Sequence, residues 1–551
     1  MGKQVKQALI GAVIFFVVAG AVMTGGWTLA FTTGGTATVA GTLTAAGMAA
    51  ITFGTTLLTS LIGGQASRGN NANAGNFGSK FATRSPNAAR QIIYGKCRVG
   101  GTIVHMETTG VDNYLLHMVV ALSGHQIEEL TNIRLNDKDL TTSTSTINGS
   151  TVYTVTNSDY TNTANENDFG SGRLMRYSFS DGSQTAVDGF MNAQLNSMGT
   201  SDKFLGVSYV YMQMVFDSEK FGGGVPATSF LVKGKKLFDP RNNSTSWSDN
   251  PALIIRDYLS NTQYGLKAQN AELNDTTNAG GFASAANTCD QNVTLADNST
   301  TEKRYTGNGF TNFSASGSQV IEGLLSSMAG KMSYVNGQFN VFAGASQTPS
   351  LTITDDELLS SVSVSTKSTS NDSYNTIKPV YVDSNTDYIG TDAEVYQDST
   401  FLNADTPSGE STANYVKQLE VQLPYTVTDT MAQRLGRIAL KSQRQTVSLS
   451  VLVSLKFMRC QPNDWIYITN ERLGYSQKIF EVISTNLEVI AEGEIPVVAT
   501  RLELQEVAAS VFNFATNDYT TGQSEGSDVG TGTYAVTAPS NLSLAQQTNK
   551  D

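Results

Sequence analysis

The first 67 positions differ in hydrophobic pattern from the rest of the chain. No charged residue occurs from Gln7 to Ser67, and Ala8 to Met23 is continuously apolar or glycine. A run of this length can cross a bilayer as a helix, and it also has the apolar core of a secretory signal. Burial among protein partners fits equally well, because hydropathy does not distinguish lipid from a protein interior. We predict a helical plug or membrane-active segment over residues 1–67, with the apolar side chains Leu9, Ile10, Val13, Ile14, Phe15, Phe16, Val17, Val18 and Trp27.

After a linker of Gly, Asn, Ala and Ser at residues 68–84, apolar and polar positions alternate in short runs. Alternation with β-branched and aromatic residues is typical of strands. Residues from Thr141 to Gly170 are instead rich in Thr, Ser and Asn, which predicts a long polar loop with at most a short hairpin at Tyr153–Val155. The strands predicted in this part of the chain are Tyr114–Leu122, Ile133–Leu135, Phe204–Phe216 and Ser229–Phe238.

Helix-capping and turn signals mark the middle of the chain. Asn250 and Pro251 supply a cap and a first-turn proline for a helix at Ala252–Leu259. A second helix is predicted at Gln319–Ala329, with Ser318 as its cap. Asn336-Gly337 then predicts a tight hairpin, since this dipeptide readily adopts the positive φ angles of a two-residue turn. The paired strands are Lys331–Val335 and Gln338–Phe342.

The last third of the chain returns to strand patterning around one amphipathic helix. That helix, at about Asp429 to Ser442, places Met431, Leu435 and Ile438 on one face. The predicted strands are Leu351–Ile353, Ile377–Val382, Tyr415–Leu423, Thr446–Phe457, Trp465–Ile468 and Lys478–Ile483.

These segments predict a multi-domain protein, because 551 residues exceed what one core usually organises. The fold class we predict is mainly β with α+β portions. The predicted units are the apolar segment 1–67, a linker 68–84, a first β domain 85–240 with a polar insertion 141–200, an α+β domain 241–345, a second β domain 346–520 and a C-terminal linker 521–551.

Composition supports the β assignment and limits the function classes. Charged residues make up only 15% of the chain and Gly occurs 50 times, so Thr, Ser, Asn and Gly must cover much of the surface. The net charge is -12 and the isoelectric point is near 4.9. An acidic chain lacks the clustered Lys and Arg that nucleic-acid binding requires. DNA could therefore pass such a surface without sequence-specific binding.

No motif for catalysis, cofactor binding or metal binding is apparent. The cysteines Cys97, Cys289 and Cys460 are widely spaced, and we expect them to be buried apolar residues. The histidines are His105, His117 and His125, and they form no local catalytic motif. We predict no catalytic residue, no cofactor and no metal site.

The acidic pairs in the sequence have structural explanations, although they leave one enzymatic alternative. Asp137 fits a hairpin turn, and Asp355 fits the start of a helical turn. Asp181 and Asp188 lie in two Gly-containing turns that lack the spacing of a calcium loop. A glycosidase stays open as a minor alternative, because its two carboxylates need no fixed spacing in sequence.

Four segments in order resemble the tail-tip hub, or host-specificity, family of lambda-like siphophages. The first begins at Ala88–Gly101 (AARQIIYGKCRVGG), and the second is Phe230–Leu266, which contains VKGKKLFDPR and WSDNPALIIRDYLSNTQYGL. The third is Tyr305–Ala343 and the fourth is Gln461–Val482. The motif residues of the first two segments are Tyr94, Gly95, Asp239, Pro240, Arg241, Asn250, Pro251, Tyr264 and Gly265, and the resemblance implies that they are scaffold residues.

The resemblance implies a homotrimeric baseplate hub at the distal end of a phage tail, assembled in the host cytoplasm. Two tube-like β-barrel domains per chain would continue the tail tube and open for genome ejection. The implied partners are the distal tail protein, the C-terminal end of the tape-measure protein, tail fibre or receptor-binding proteins and, on ejection, the host membrane. Ala538–Leu544 resembles the opening of a fibronectin-like module. The alternatives are a membrane-anchored secreted β-rich adhesin and, less favoured, a cell-wall hydrolase.

Overall fold

The computed structural model describes Ala82 and residues 88–221, 224–366, 373–490 and 497–514. The predicted apolar segment, including Leu9 to Trp27, lies outside the described residues, as does the possible fibronectin-like opening at Ala538–Leu544.

The first part of the chain forms two antiparallel sheets. A six-stranded sheet has the order β3-β4-β10-β9-β8-β7 and a four-stranded sheet has the order β2-β11-β5-β6. Apolar side chains of both sheets form a shared core, and the outer face of the six-stranded sheet packs on helix α1. The elements are β1 Gln91–Tyr94, β2 Lys96–Val99, β3 Thr102–Thr109, β4 Leu115–Ser123, β5 Glu129–Leu135, β6 Lys138–Asp139, β7 Thr142–Ile147, β8 Ser150–Val155, β9 Met175–Ser180, α1 Gly189–Gln194, β10 Ser208–Val215 and β11 Thr228–Lys233.

The middle of the chain contains helices connected by short hairpins. Asn250 caps α2 by accepting a hydrogen bond from the backbone N–H of Ala252, and Pro251 occupies its first turn. Strand β16 leaves this region and pairs with β1. The elements are β12 Lys236–Asp239, β13 Ser244–Trp247, α2 Pro251–Ser260, α3 Phe282–Cys289, β14 Asn292–Thr294, β15 Thr301–Lys303, β16 Gly309–Asn312, α4 Gly317–Ser326, β17 Lys331–Val335 and β18 Gln338–Phe342.

The last part contains a second six-stranded sheet with the order β19-β26-β27-β28-β25-β20, and a smaller sheet around β21. Strand β21 pairs with β22 and β23 on one side and runs parallel to β24 on the other. The elements are β19 Leu351–Ile353, β20 Ser363–Ser365, β21 Thr376–Asp383, β22 Ile389–Asp392, β23 Tyr396–Gln397, α5 Ser399–Asp405, β24 Gln418–Leu423, α6 Asp429–Gln443, β25 Ser448–Ser454, β26 Trp465–Asn470, β27 Tyr475–Ile490 and β28 Val497–Glu506.

The largest core lies between these two parts. Helices α2, α3, α4 and α6 pack on β21 and β24, and the fully buried side chains include Ile254, Phe282, Leu324 and Ile377. A further core fills one face of the second six-stranded sheet. The chain is therefore mainly β with few helices, as the composition indicates.

Several predicted elements match the structure closely. Helix α2 and the β17–β18 hairpin have nearly the predicted bounds, and Asn336 and Gly337 have φ angles of 53° and 80°. The predicted single strand Ser229–Phe238 is divided into β11 and β12 around Gly234 and Lys235. Strand β25 ends at Ser454, where a 3-10 turn at Leu455–Arg459 replaces the predicted continuation.

The predicted long loop over Thr141–Gly170 is wrong. Residues 142–155 form the β7–β8 hairpin, which turns at Asn148-Gly149 and extends the six-stranded sheet through β9. Only Val152 and Val155 of this hairpin are fully buried, so hydrophobic alternation is too weak to reveal it. The Asn-Gly dipeptide was the available signal.

The predicted β-barrel domains are not confirmed. Among the described strands, both six-stranded sheets follow open orders whose terminal strands do not pair with each other. Within the same residues, no helix is long and apolar enough to cross a membrane.

Helix α6 provides a stability test, because its first residue is an acid in a negatively charged environment. Burial raises the pKa of Asp429 to about 6, with smaller contributions from the charges of Glu394 and Asp383. The ionised form is thus disfavoured in the folded chain. Stability from this group is present below the unfolded pKa near 4 and is lost as the pH rises through 6.

We predict that Asp429→Asn removes this loss. In urea unfolding, we compare the free energy of unfolding of the variant with that of the native chain. The difference in favour of the variant should be about 1 kcal/mol larger at pH 7.5 than at pH 4.5, a value reduced because Asp429 is partly exposed. Asp356→Asn, at an exposed acid in a 3-10 turn, is the matched control and should show no such gain. An Asp429→Asn effect that is the same at both pH values would contradict the prediction.

Candidate functional site

Tyr94 of the first resembling segment and Tyr264 of the second meet at one junction. Asp257 of α2 accepts hydrogen bonds at Oδ2 from the Tyr94 hydroxyl, at 2.8 Å, and from the Tyr264 hydroxyl, at 2.9 Å. The Lys235 ammonium lies 2.9 Å from Asp257 Oδ1 and 2.5 Å from the Tyr264 hydroxyl oxygen. Strand β1, the β11–β12 connection and the segment that follows α2 are therefore held by one carboxylate of α2. We call these four residues the junction cluster.

Burial determines the chemistry of the junction cluster. Desolvation, followed by the charge of Asp257, raises the pKa of Tyr94 well above its usual value, and the pKa of Tyr264 is raised by the same causes. Both phenols consequently stay protonated and donate to the carboxylate. The Asp257 and Lys235 side chains are 17% and 19% exposed, so the pair is largely removed from solvent. This arrangement is suited to fixing backbone positions.

Two motif glycines allow the backbone to approach closely at the same junction. Gly95 has a φ of 61°, and a Cβ there would lie 2.3 Å from the carbonyl oxygen of Gly307. A Cβ on Gly265 would lie 1.9 Å from the carbonyl oxygen of Tyr258. Side chains larger than hydrogen would therefore displace α2 or its neighbours.

The remaining motif residues form a second polar group beside α3. Asp239 accepts from the Arg241 guanidinium across the turn that contains Pro240, with a shortest distance of 2.7 Å. Arg241 also pairs with Asp290 at 2.8 Å. Asn250, besides capping α2, donates to the Ala286 carbonyl at 2.9 Å. The structure thus gives every named motif residue a position in the framework around α2 and α3.

The three histidines lie in three different environments. His125 is buried, which lowers its pKa to about 4, and its Nε2 accepts from the backbone N–H of Ile93. His117 contacts the hydroxyls of Thr109 and Tyr211, each at 2.7 Å, inside the first sheet. His105 lies beside Glu107 at the edge of the same sheet.

One arrangement that sequence inspection missed involves His105. Ser197 Oγ lies 3.1 Å from His105 Nε2, and Glu107 Oε2 lies 3.3 Å from the same nitrogen. A catalytic triad needs the acid on the opposite ring nitrogen, where it can hold the imidazole while Nε2 receives the serine proton. Because both partners contact Nε2, this group does not form such a relay.

Two further kinds of site to consider among the described residues are reactive cysteines and groups of metal-ligating side chains. Cys97, Cys289 and Cys460 are all buried, and desolvation raises the pKa of Cys97 and Cys460 to about 12. Across the part of the chain that the structure describes, no group of three or more His, Cys, Asp or Glu side chains is placed to hold a metal ion.

A partly open pocket lies between α6, the β17–β18 hairpin and the second six-stranded sheet. Its lining is mainly apolar and includes Leu435, Trp465 and Phe512. Of its three charged lining residues, Lys331 and Glu481 form an ion pair with each other, and Glu506 pairs with Lys478. Glu481 therefore already has a side-chain partner in the pocket wall.

One stretch of the chain, which lies outside the junction cluster, matches a known protein family. Residues 316–485, just under a third of the chain, match the model of a family described as "Putative phage tail protein". The matched residues run from the start of α4 to the middle of β27, and they contain most of the third resembling segment and all of the fourth. This part of the chain is therefore similar in sequence to that family. No curated protein matches the chain.

Several solved structures are similar at low identity, among them the three that follow. A chain of the virion of a native gene transfer agent particle is 12% identical, with a TM-score of 0.49 over 84% of this chain and 94% of that one. The 43 kDa tail protein of prophage MuSo2 from Shewanella oneidensis is 11% identical, with a TM-score of 0.27 over 73% and 91%. The prophage tail protein gp18 from Listeria monocytogenes EGD-e is 15% identical, with a TM-score of 0.21 over 39% and 58%.

The junction cluster can be tested by removing the charge at its centre. Asp257→Asn keeps the shape of the side chain and leaves the Lys235 ammonium without its carboxylate partner. Breaking a largely buried pair of this kind costs about 3 kcal/mol, so the midpoint of urea unfolding should fall clearly.

The matched control for this prediction is Asp159→Asn. Asp159 pairs with Lys138 at 3.0 Å, but both side chains are about half exposed, so the substitution should change stability by less than about 0.5 kcal/mol. Equal effects of the two substitutions would show that the junction cluster has no special role.

Proposed function

We propose that this chain is a structural protein of a phage tail, and specifically the hub at the distal end of the tail tube. The observation that carries the proposal is the family-model match over residues 316–485. The two earlier resembling segments, which lie outside that match, support the hub assignment within the tail. A tailocin or gene-transfer-agent hub would need the same framework.

The contacts at the motif residues are consistent with a structural role. Tyr94, Asp257 and Tyr264 hold distant parts of the chain together, and the polar groups around them are paired with one another. The His105–Glu107–Ser197 group does not form a relay. A protein that must keep its shape during attachment and ejection requires such fixed junctions more than a reactive site.

In the proposed particle, three copies surround the tail axis and close the tube until ejection. The partners are the distal tail protein, the C-terminal end of the tape-measure protein and tail fibre or receptor-binding proteins. Residues 1–67 act as a plug that enters the host membrane when the tip opens. The net charge of -12 favours passage of DNA without adhesion to the wall.

Immunogold labelling of purified particles tests the location. With an antibody raised against residues 85–530, we expect gold at the distal tail end, and preincubation of the antibody with the purified chain should abolish the label. Gold on host-cell envelopes, with none on tails, would contradict the proposal and favour the anchored adhesin. Gold confined to heads would also contradict it.

A further inference from the structure

The two six-stranded sheets each end in an uncharged strand. Strand β7 (Thr142–Ile147) is at one edge of the first sheet, and β20 (Ser363–Ser365) is at one edge of the second. Residues 142–146 are all exposed, and the sequence of β7, TSTSTI, has no charge and no proline. Long exposed edges of this kind readily accept another strand, unless charges, proline or bulges prevent it.

The turn after β7 determines which backbone groups face outward. Asn148 and Gly149, with φ angles of 50° and 80°, form a two-residue turn that places Ile147 opposite Ser150. In such a hairpin, Ile147, Ser145 and Ser143 exchange hydrogen bonds with β8. The N–H and C=O groups of Thr142, Thr144 and Thr146 therefore point away from β8. The bond from Thr156 N–H to the Thr141 carbonyl, at 2.8 Å, agrees with this alternation.

The opposite edge of the first sheet is protected. Strand β3 contains a bulge between Ile103 and His105, and it carries Glu107. Bulges and charges are the usual means by which proteins prevent strand addition. Strand addition to the first sheet is therefore favoured at β7.

Strand β20 is the corresponding edge of the second sheet. It pairs with β25 through Ser363, Val364 and Ser365, and it lies within the uncharged stretch Ser360–Thr366 (SSVSVST). Both serines of β20 are exposed. The other edge of this sheet, β19, is equally short, but it is followed by three consecutive acids at Asp355–Glu357.

We propose that β7 of one copy of this chain pairs with β20 of a second copy, which joins the two six-stranded sheets across the subunit interface. Neither strand carries a charge, so pairing involves no like-charge repulsion and no burial of an ion. Contact between two different surfaces of identical chains closes into a ring when the rotation permits. The inference rests on the proposed function, in which several copies surround one axis.

Disulfide cross-linking tests the pairing in the full-length chain. We would combine Ser363→Cys with a cysteine at each of positions 142–146 in turn, because scanning both faces of β7 removes any uncertainty about side-chain orientation. The native cysteines are all buried, so the background should be low. After mild oxidation, at least one combination should give covalent oligomers on a non-reducing gel.

The single-cysteine variants and a cysteine in the opposite edge strand, β3, serve as controls. Each single variant should stay monomeric on the gel, as should Thr108→Cys in β3 combined with Ser363→Cys. Cross-linking by a β7 variant alone would show pairing between two β7 strands and overturn the proposal. Absence of cross-linking in every β7 combination would also overturn it.

A proline substitution gives a second, independent measurement. Thr144→Pro removes an outward N–H, which an edge strand tolerates, so the chain should fold with an unchanged midpoint of thermal unfolding. Its oligomers should dissociate to monomers in sedimentation, and Thr144→Ser should assemble normally. Normal assembly of Thr144→Pro would overturn the proposal. If immunogold still places the chain at the tail end while cross-linking fails, only the edge pairing is wrong.

Discussion

One four-residue strand holds the two largest cores of this protein together. Successive side chains of a strand point to opposite faces. In β1, Ile93 therefore lies in the core shared by the first two sheets, and Ile92 and Tyr94 lie in the largest core. A shift of one residue would move each of these side chains to the other side. Gly95, directly after the strand, allows the close approach of Gly307 that keeps β1 in place.

The rest of the framework depends on this arrangement. Tyr94 extends from β1 to Asp257 of α2, and α2 packs with α3 and α4 on the sheet around β21. From that core, the Lys331–Glu481 ion pair reaches the second six-stranded sheet. The Tyr94–Asp257 and Lys331–Glu481 contacts join residues that are 163 and 150 positions apart in sequence.

Local signals could be predicted from the sequence, whereas contacts between distant segments could not. The Asn250-Pro251 cap and the Asn336-Gly337 turn act within a few residues. Helix α2 and the β17–β18 hairpin could therefore be predicted from the sequence. Helix α3 (FASAANTC) was missed because it follows Gly281, which supplies no side-chain cap, and because it has no proline in its first turn. The β7–β8 hairpin was missed because its Thr and Ser residues lack an apolar face.

The residues of the candidate site also fall into those that were named from the sequence and those that only the structure shows. Tyr94 and Tyr264 were named from the family resemblance, but their common partner Asp257 was not, and neither was Lys235. Tyr94 and Asp257 are 163 positions apart, and only the folded chain brings them within 2.8 Å. The uncharged edges of β7 and β20 are likewise visible only when the strand order of each sheet is known.

A chain built from fixed junctions and two open sheets is suited to assembly in a larger particle, and the central claim is its place in that particle. Cryo-electron microscopy of purified tails tests this most directly. The account predicts that three copies of residues 88–514 fit the density at the distal end of the tail tube. Tip density that other proteins explain completely, with this chain absent or at another position, would contradict it.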